Sequence, residues 1–92
     1  MDTLNHEQIE AALADLDGWG FQDGALVRTF RFNDFVHAVD FVEELAEIAE
    51  EHRHHPDIDI RYNKVTLRLS SHDAGGVTDR DVRLAEAFQA LV

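Results

Sequence analysis

The feature that most constrains this chain is the segment 50–56, with the sequence EEHRHHP, where one sequence periodicity gives way to another. Apolar residues recur at helical spacing before the segment and alternate with polar residues after it. Pro56 cannot continue a helix, and it disfavours helical geometry at the residue before it. The pattern therefore predicts that a long helix ends near Arg53. The dipole of that helix would favour protonated side chains on His54 and His55.

The first half of the chain is predicted to form a helix, a hairpin of two strands and then the long helix. Asn5 is suited to cap the first helix, and Gly18 is suited to end it. Short strands are predicted over 19–22 and 25–32. The Asp-Gly pair between them is typical of a hairpin turn.

The second half is predicted to form two strands and a last helix. Apolar and polar residues alternate over 57–62 and 65–70, so each strand should have one buried and one polar face. The hairpin turn between them is predicted at 63–64. Thr78 is suited to cap the last helix, with Asp81 in a capping-box-like position.

The element order α-β-β-α-β-β-α favours the α+β class. The predicted architecture is a four-stranded antiparallel sheet with three helices packed on one face. With 92 residues and no internal linker, we expect a single domain over 1–92. A chain this short buries only about 60–65% of its unfolded surface, so we expect an oligomer interface that adds to its stability.

Charge and composition argue against several functions. Nineteen acidic residues oppose eight basic ones and give a net charge of −11, which repels nucleic acid. The chain has no cysteine, so disulfides, thiolate metal sites and cysteine catalysis are excluded. No apolar run is long enough to span a bilayer, and no secretory signal is visible. We therefore expect a cytoplasmic protein.

The acidic balance has two interpretations. It is typical of a soluble acidic protein, and also of a protein from a high-salt cytoplasm, where salt screens the self-repulsion. We favour the second interpretation, which predicts a loss of stability in dilute buffer.

A second histidine segment, Ser71-His72-Asp73, follows the predicted strands. If it meets His54 and His55 in space, three imidazoles would converge on one pocket. Imidazole both donates and accepts protons near neutral pH, as general acid–base catalysis requires. Glu50 and Asp81 are acids that could orient the rings and favour their charged form.

The residues alone leave other interpretations open. A His-His pair at a helix end also serves as a charged cap. Asp81 could act only as a helix cap, Glu50 as a solvated acid, and Trp19 as a core residue instead of a ligand platform. Zinc binding is a further alternative, although the local spacing matches no zinc pattern. The imidazoles available for zinc are those of His52, His54, His55 and His72.

Five spaced motifs carry a resemblance to a known family. They are Gly18-Trp19, Phe30-x-Phe32-x-Asp34-Phe35, Glu50-x-x-x-His54-His55-Pro56, Tyr62-Asn63-Lys64-Val65 and Ser71-His72-Asp73-x-Gly75-Gly76-Val77-Thr78-x-x-Asp81. Together they resemble the pterin-4a-carbinolamine dehydratase family over nearly the whole chain. Because several elements coincide in order and spacing, chance is a poor explanation.

The resemblance implies a fold, an assembly and an activity. The implied fold is the α+β sheet with three helices described above, assembled as homodimers or homotetramers. The implied reaction is the dehydration of 4a-hydroxytetrahydrobiopterin to the quinonoid dihydropterin, which recycles the cofactor of aromatic amino-acid hydroxylases. The substrate is a small pterin, and neither a metal nor an organic cofactor is used.

The resemblance also assigns roles to individual residues. His54, His55 and His72 match the catalytic histidines of the family, and we expect His54 and His72 to carry the two proton transfers. The predicted substrate-binding residues are Glu50, Pro56, Asp81, Ser71 and Trp19. This sequence departs from the motif in having Ser71 where threonine is common, and His52 as an additional imidazole.

Two competing functions accompany the dehydratase. One is a non-catalytic dimerisation or assembly partner of another protein, which the intact histidine set argues against. The other is a dehydratase that acts on a different pterin, such as one connected with molybdenum cofactor metabolism. The sequence does not separate pterin substrates from one another.

Overall fold

The computed structural model describes residues 2–92, and this part of the chain contains three helices and four strands. In chain order they are α1 (His6–Leu13), β1 (Gly20–Gln22), β2 (Ala25–Arg31), α2 (Phe35–His52), β3 (Asp57–Arg61), β4 (Lys64–Leu69) and α3 (Asp79–Gln89). Neighbouring strands pair antiparallel in the order β1-β2-β4-β3. The predicted α+β class, element order and four-stranded sheet are confirmed.

The core lies between the helices and one face of the sheet. Alternate residues of the two central strands, β2 and β4, point into it, and each helix adds residues at helical spacing. The core residues of the central strands and of the two longer helices are Leu26, Phe30, Val65, Leu67, Leu69, Ala38, Phe41, Leu45, Ala49, Leu84, Ala85 and Phe88. Full burial of one such leucine or phenylalanine contributes about 1.5–3 kcal/mol.

Strand β3 is more exposed than its alternation predicts. Ile58 and Ile60 lie opposite Leu67 and Val65 in the sheet, so they belong to the face that carries the core. Their exposed fractions are nevertheless 40% and 37%. Because β3 is an edge strand, its residues have a strand neighbour on one side only. The prediction of a buried face on this strand is wrong for the chain by itself.

The β3–β4 turn lies one residue earlier than predicted. Arg61 pairs with Lys64, so the two-residue loop is Tyr62-Asn63 and not 63–64. Tyr62 takes a left-handed backbone conformation, with φ at 55°. The side chain of Asn63 donates to the Phe32 carbonyl at 2.8 Å, and the Phe32 N–H donates to the Asn63 carbonyl at 2.9 Å. These bonds fix the turn against the end of β2.

Two helix ends place the histidine segments. Helix α2 ends at a left-handed Arg53, and the His54 N–H then donates to the Ala49 carbonyl at 3.1 Å. Such a bond typically closes a helix whose last turn is followed by a left-handed residue. Helix α3 begins at Thr78 with the predicted capping box to Asp81.

Residues 2–92 contain no helix with the length and apolar character needed to cross a membrane.

Candidate active site

The first contact of the site joins the end of α2 to the beginning of α3. Nε2 of His54 lies 2.5 Å from Oδ1 of Asp81, and the exposed fractions of the two side chains are 11% and 0%. His54 reaches this position because the left-handed Arg53 turns the chain out of the helix. The buried carboxylate therefore orients an imidazole that stays within reach of solvent.

Asp81 is held by further hydrogen bonds. Its Oδ2 accepts from the Ser71 hydroxyl and from the Thr78 N–H, both at 2.8 Å. The Ser71 and Thr78 hydroxyls also bond to each other at 2.8 Å, and all three residues are fully buried. The predicted substrate-binding residues Asp81 and Ser71 are thus inaccessible to a ligand. Asp81 and Ser71 can influence a bound ligand only through the residues to which they are hydrogen-bonded.

The second histidine has its own acid. Nε2 of His55 lies 2.5 Å from Oε2 of Glu50, one turn back on α2, and the side chains are 63% and 76% exposed. Because this pair is solvated, Glu50 serves to orient the ring at modest energetic gain. Pro56 follows directly, is half-buried and leads the chain into β3.

The third histidine, His72, lies on the loop between β4 and α3. A bridge between Ser71 and Gly76 closes this loop, and the Gly75 N–H donates to the Ser71 carbonyl at 2.9 Å. Gly75 has a φ of 83°, which a residue with a side chain rarely adopts. His72 is exposed at the beginning of the loop.

An ion pair ties the His72 loop to α3. Nη2 of Arg80 donates to Oδ1 of Asp73 at 2.7 Å. The hydrogen bond from Arg80 holds the pKa of Asp73 below its usual value. Arg80 stands directly before Asp81, so the first turn of α3 contacts both histidine segments.

The three predicted catalytic histidines line one cleft with a volume of about 300 Å³. Arg53, Asp73 and Arg80 contribute to its walls. A second recess, of about 350 Å³, lies beside it and shares His55, Ser70 and His72 with the cleft. The two spaces together are large enough for a bicyclic ligand.

The remaining predicted site residue, Trp19, lies elsewhere. It is 7% exposed and packs edge to face on Phe30, with ring centroids 6.0 Å apart. It lines a separate shallow depression beside β1 and β2, and its indole N–H has no acceptor among residues 2–92. It is therefore a core residue in this structure, and the structure does not bring it to the histidines.

Sequence reasoning missed the arginines of the site. Arg53 and Arg80 both line the histidine cleft. The spacing of Arg80 from Asp73 carries no motif, because the pair depends on how the loop folds back onto α3. The position of Arg80 beside Asp81 was the one available signal.

The contact between His54 and Asp81 suits proton transfer. No three histidine, aspartate or glutamate side chains converge as a metal site would require in the part of the chain that the structure describes. The Asp81 carboxylate accepts from Nε2 of His54, so a neutral His54 ring keeps its lone pair on Nδ1. A base with a defined tautomer is then available beside two exposed imidazoles.

The fold and the site define a small α+β protein equipped for acid–base chemistry on a compact ligand. A model of the family described as pterin 4 alpha carbinolamine dehydratase matches residues 2–91. The chain therefore belongs to the pterin-4a-carbinolamine dehydratase family.

Curated relatives cover the chain from end to end. A protein of Thermomicrobium roseum is 50% identical over 99% of this chain and 98% of its own length. A protein of Acidobacterium capsulatum is 49% identical over the whole of both chains. Each carries the provisional name pterin-4-alpha-carbinolamine dehydratase.

A solved structure has the same fold. The crystal structure of a transcriptional coactivator/pterin dehydratase from Brucella melitensis superposes with a TM-score of 0.94. It is 36% identical, and the match covers 98% of each chain.

Proposed function

We propose that the protein is a 4a-hydroxytetrahydrobiopterin dehydratase, a hydro-lyase that removes water from the pterin 4a-carbinolamine and forms the quinonoid dihydropterin. The observation that carries the proposal is the convergence of His54, His55 and His72 on one cleft, with Asp81 buried behind His54. Membership of the family and the names of the relatives support the substrate class.

The reaction needs one acid and one base. The C4a–O bond breaks, the departing oxygen takes a proton and leaves as water, and the N5–H proton is removed as the C4a=N5 double bond forms. The hydroxyl is a poor leaving group until it is protonated. Each positioned acid or base typically contributes about 10²–10⁴-fold to the rate.

The hydrogen bonds favour different roles for His54 and His72, one as the base and the other as the acid. His54 is the base in this proposal, because Asp81 holds the proton on Nε2 and leaves the Nδ1 lone pair for the N5 proton. His72 is the acid, since it is exposed and has no carboxylate partner among residues 2–92. Solvent can reprotonate it after each turnover. His55, oriented by Glu50, binds and orients the pterin.

The test is the dehydration rate of freshly formed 4a-hydroxytetrahydropterin, followed by ultraviolet absorbance in dilute and in molar salt. His54→Ala and His72→Ala should each lower the rate enhancement by about 10²-fold or more. His37→Ala is the matched control, because His37 is a surface histidine at the start of α2. A folded wild-type protein that gives no enhancement over buffer would refute the proposal.

A binding role is the second candidate function. The neighbouring Brucella protein is named a transcriptional coactivator as well as a dehydratase. In this chain, Phe35 and Val36 at the start of α2 are 52% and 63% exposed, as a partner-binding surface requires. Two results together would favour this candidate. The wild type would bind a stoichiometric partner while showing no dehydratase activity, and Val36→Ser would abolish that binding.

We also propose that the chain forms a homo-oligomer. Ile58 and Ile60 are 40% and 37% exposed on the edge strand β3, and Tyr62 in the turn that follows is 67% exposed. An exposed apolar edge of this kind is a site of association between chains. Light scattering on a sizing column should give a mass of two or four chains. Ile60→Lys should lower that mass, and a monomeric wild type would contradict the proposal.

A further inference from the structure

We propose that Asp57 and Arg68 form the subsite that binds the 2-amino-4-oxo edge of the pterin ring and so select a pterin over related heterocycles. The inference rests on the proposed dehydratase function, because it names the residues that orient the substrate of that reaction. Neither residue belongs to the motifs that carry the family resemblance.

The location of the subsite follows from the two adjoining spaces. Asp57 and Arg68 line the recess of about 350 Å³ that shares His55, Ser70 and His72 with the histidine cleft. A flat bicyclic molecule can therefore place one ring between the histidines and extend the other ring into the recess. The catalytic groups and the proposed subsite would contact the same ligand.

The sheet register places the two residues side by side. Asp57 of β3 is the direct partner of Arg68 of β4. Partners of this kind project from the same face, with Cβ atoms about 4.5–5.5 Å apart. Since Leu67 and Leu69 point into the core, Arg68 and Asp57 project from the opposite, open face of the sheet.

Neither side chain is occupied by another partner. Arg68 is half-buried, and no carboxylate among residues 2–92 lies within ion-pair distance of its guanidinium. Likewise, no basic group among these residues lies within ion-pair distance of the Asp57 carboxylate. Other arginines of the protein are paired with acids, as Arg61 is with Asp59 at 3.3 Å. The Asp57 and Arg68 groups are thus adjacent but free to bind a ligand.

The chemistry of the two groups matches the pterin edge. That edge presents the O4 acceptor, the N3–H donor and the 2-amino donor in a row. A carboxylate accepts the two N–H groups in parallel, and a guanidinium donates to O4. Because C4 is bonded to C4a, fixing this edge also fixes the reacting carbon beside the histidines.

The charge of the recess favours a neutral ligand. Asp23, from the turn between β1 and β2, is a second carboxylate in its wall. Two carboxylates and one guanidinium leave the recess negative while the histidines are neutral. A phosphate or carboxylate on the ligand would be repelled there, whereas the uncharged pterin edge would not.

The test uses two stable ligands, 6-methylpterin and 6-methyllumazine, which differ in having an amino or an oxo group at C2. Dissociation constants are measured by fluorescence titration at a pH where both ligands are neutral. We expect the wild type to bind the pterin about 10- to 100-fold more tightly, since the oxo group cannot donate to Asp57.

The variants separate the two roles. Asp57→Asn should weaken pterin binding and reduce the preference over lumazine to about threefold or less, because an uncharged amide accepts one N–H where a carboxylate accepts two. Arg68→Met should weaken both ligands by a similar factor of about ten, since both carry O4. Asp59→Asn and Arg61→Met are the controls, because these residues lie on the same face of β3 but outside the recess.

Equal affinity of the wild type for both ligands, or an unchanged preference in Asp57→Asn, would overturn the inference. Turnover gives an independent readout: Asp57→Asn should raise KM with little change in kcat, whereas His72→Ala should lower kcat and keep the pterin preference. If the wild type does not accelerate dehydration, the proposed function fails. The ligand preference would still decide whether this subsite exists.

Discussion

His54 and Asp81 lie 27 residues apart in the chain, yet Nε2 of the imidazole is 2.5 Å from Oδ1 of the carboxylate. The other oxygen of the same carboxylate accepts from the Thr78 N–H and caps α3. One buried group therefore starts a helix and orients a candidate catalytic base. Any change to Asp81 should affect stability and catalysis together.

Replacing Asp81 with asparagine tests this dual role. The amide keeps the size of the side chain but removes the charge that fixes the His54 tautomer. We expect a loss of about 10²-fold in kcat. We also expect a loss of about 1–3 kcal/mol in the free energy of unfolding, because buried donors lose their acceptor. Single-turnover kinetics and urea unfolding provide the two measurements.

Asp79→Asn is the matched control for Asp81→Asn. Asp79 lies in the same turn of α3 but is exposed and pairs with Arg83 at 3.0 Å. The Asp79→Asn substitution should leave kcat unchanged. If Asp79→Asn and Asp81→Asn lowered kcat equally, the loss would reflect the charge of the helix terminus and not the contact with His54.

The Asp73–Arg80 ion pair should position the loop that carries His72. Arg80→Gln removes this ion pair, and we expect turnover to fall about tenfold. This loss should be smaller than the loss caused by His72→Ala. Arg80→Lys should restore part of the lost turnover. The lowered pKa of Asp73 keeps the pair charged as the pH falls, until the pH passes through that lowered pKa.

The Arg83–Asp79 ion pair provides the comparison for the Asp73–Arg80 pair, since it lies on the same helix and neither of its residues lines the histidine cleft. Arg83→Gln should have no effect on turnover. The Asp73–Arg80 pair would be unnecessary for catalysis if a double-mutant cycle of Asp73→Asn and Arg80→Gln gave no coupling in kcat/KM.

The start of α2 should make stability depend on pH. Asp34 accepts from the His37 N–H and contacts its ring at 2.6 Å. The hydrogen bond that the His37 ring donates to Asp34 raises the pKa of His37 above 6.5, and the hydrogen bonds that Asp34 accepts from His37 lower the pKa of Asp34 below 3.8. The His37 contribution is complete below pH 6.5 and is lost as the pH rises through the raised pKa. The Asp34 contribution is complete above pH 3.8 and is lost as the pH falls through the lowered pKa.

Urea midpoints of wild type and His37→Ala measure this effect. The wild type should be more stable than the variant at pH 5, and the difference should shrink as the medium becomes alkaline. His6→Ala is the control, because the contact of His6 with Glu10 is long, at 3.8 Å, and both side chains are exposed. A difference that stays constant from pH 5 to alkaline pH would show that the ring contact contributes nothing through its charge.

Salt should stabilise the protein through its acidic surface. The net charge is −11, and Asp40, Glu43, Glu44 and Glu47 cluster on α2. Like charges three and four residues apart on a helix repel, and the Debye length falls from about 10 Å at 0.1 M salt to about 3 Å at 1 M. The urea midpoint should rise between these concentrations.

The double variant Glu43→Gln with Glu47→Gln should flatten that dependence and stabilise the protein in dilute buffer. Gln22→Glu, at an exposed position on β1, adds a charge outside the cluster and provides a control of opposite sign. Full stability of the wild type in dilute buffer, with no gain from salt, would count against an origin in a high-salt cytoplasm.

Local signals in the sequence were sufficient for the elements that flank the site. Pro56 and the helical spacing before it predicted the end of α2 at Arg53. The spacing of Thr78 and Asp81 predicted the cap of α3. These features depend on atoms within about one helical turn of each other, so the sequence carries them directly. The meeting of the histidines was suggested by the family resemblance, and the shared cleft agrees with it.

Burial depended on the packing of distant segments. The alternation in β3 predicted a buried face, but its place at the sheet edge leaves Ile58 and Ile60 exposed. Asp81 and Ser71 were predicted to touch a ligand, yet the fold encloses both side chains. Exposure depends on which segments pack over a residue, and periodicity does not report that.

The sequence by itself thus determined the element order, the end of α2, the start of α3 and the family of this protein, because each depends on local or linear patterns. It did not determine the end of α1, which lies at Leu13 and not at the predicted Gly18. Only the tertiary structure decided that Asp81 contacts His54, that Arg80 binds Asp73 in the His72 loop, and that Asp57 stands beside Arg68. Each of these relationships joins segments that are distant or unmarked by a motif. Strand register and helix docking, and not residue spacing, bring them together.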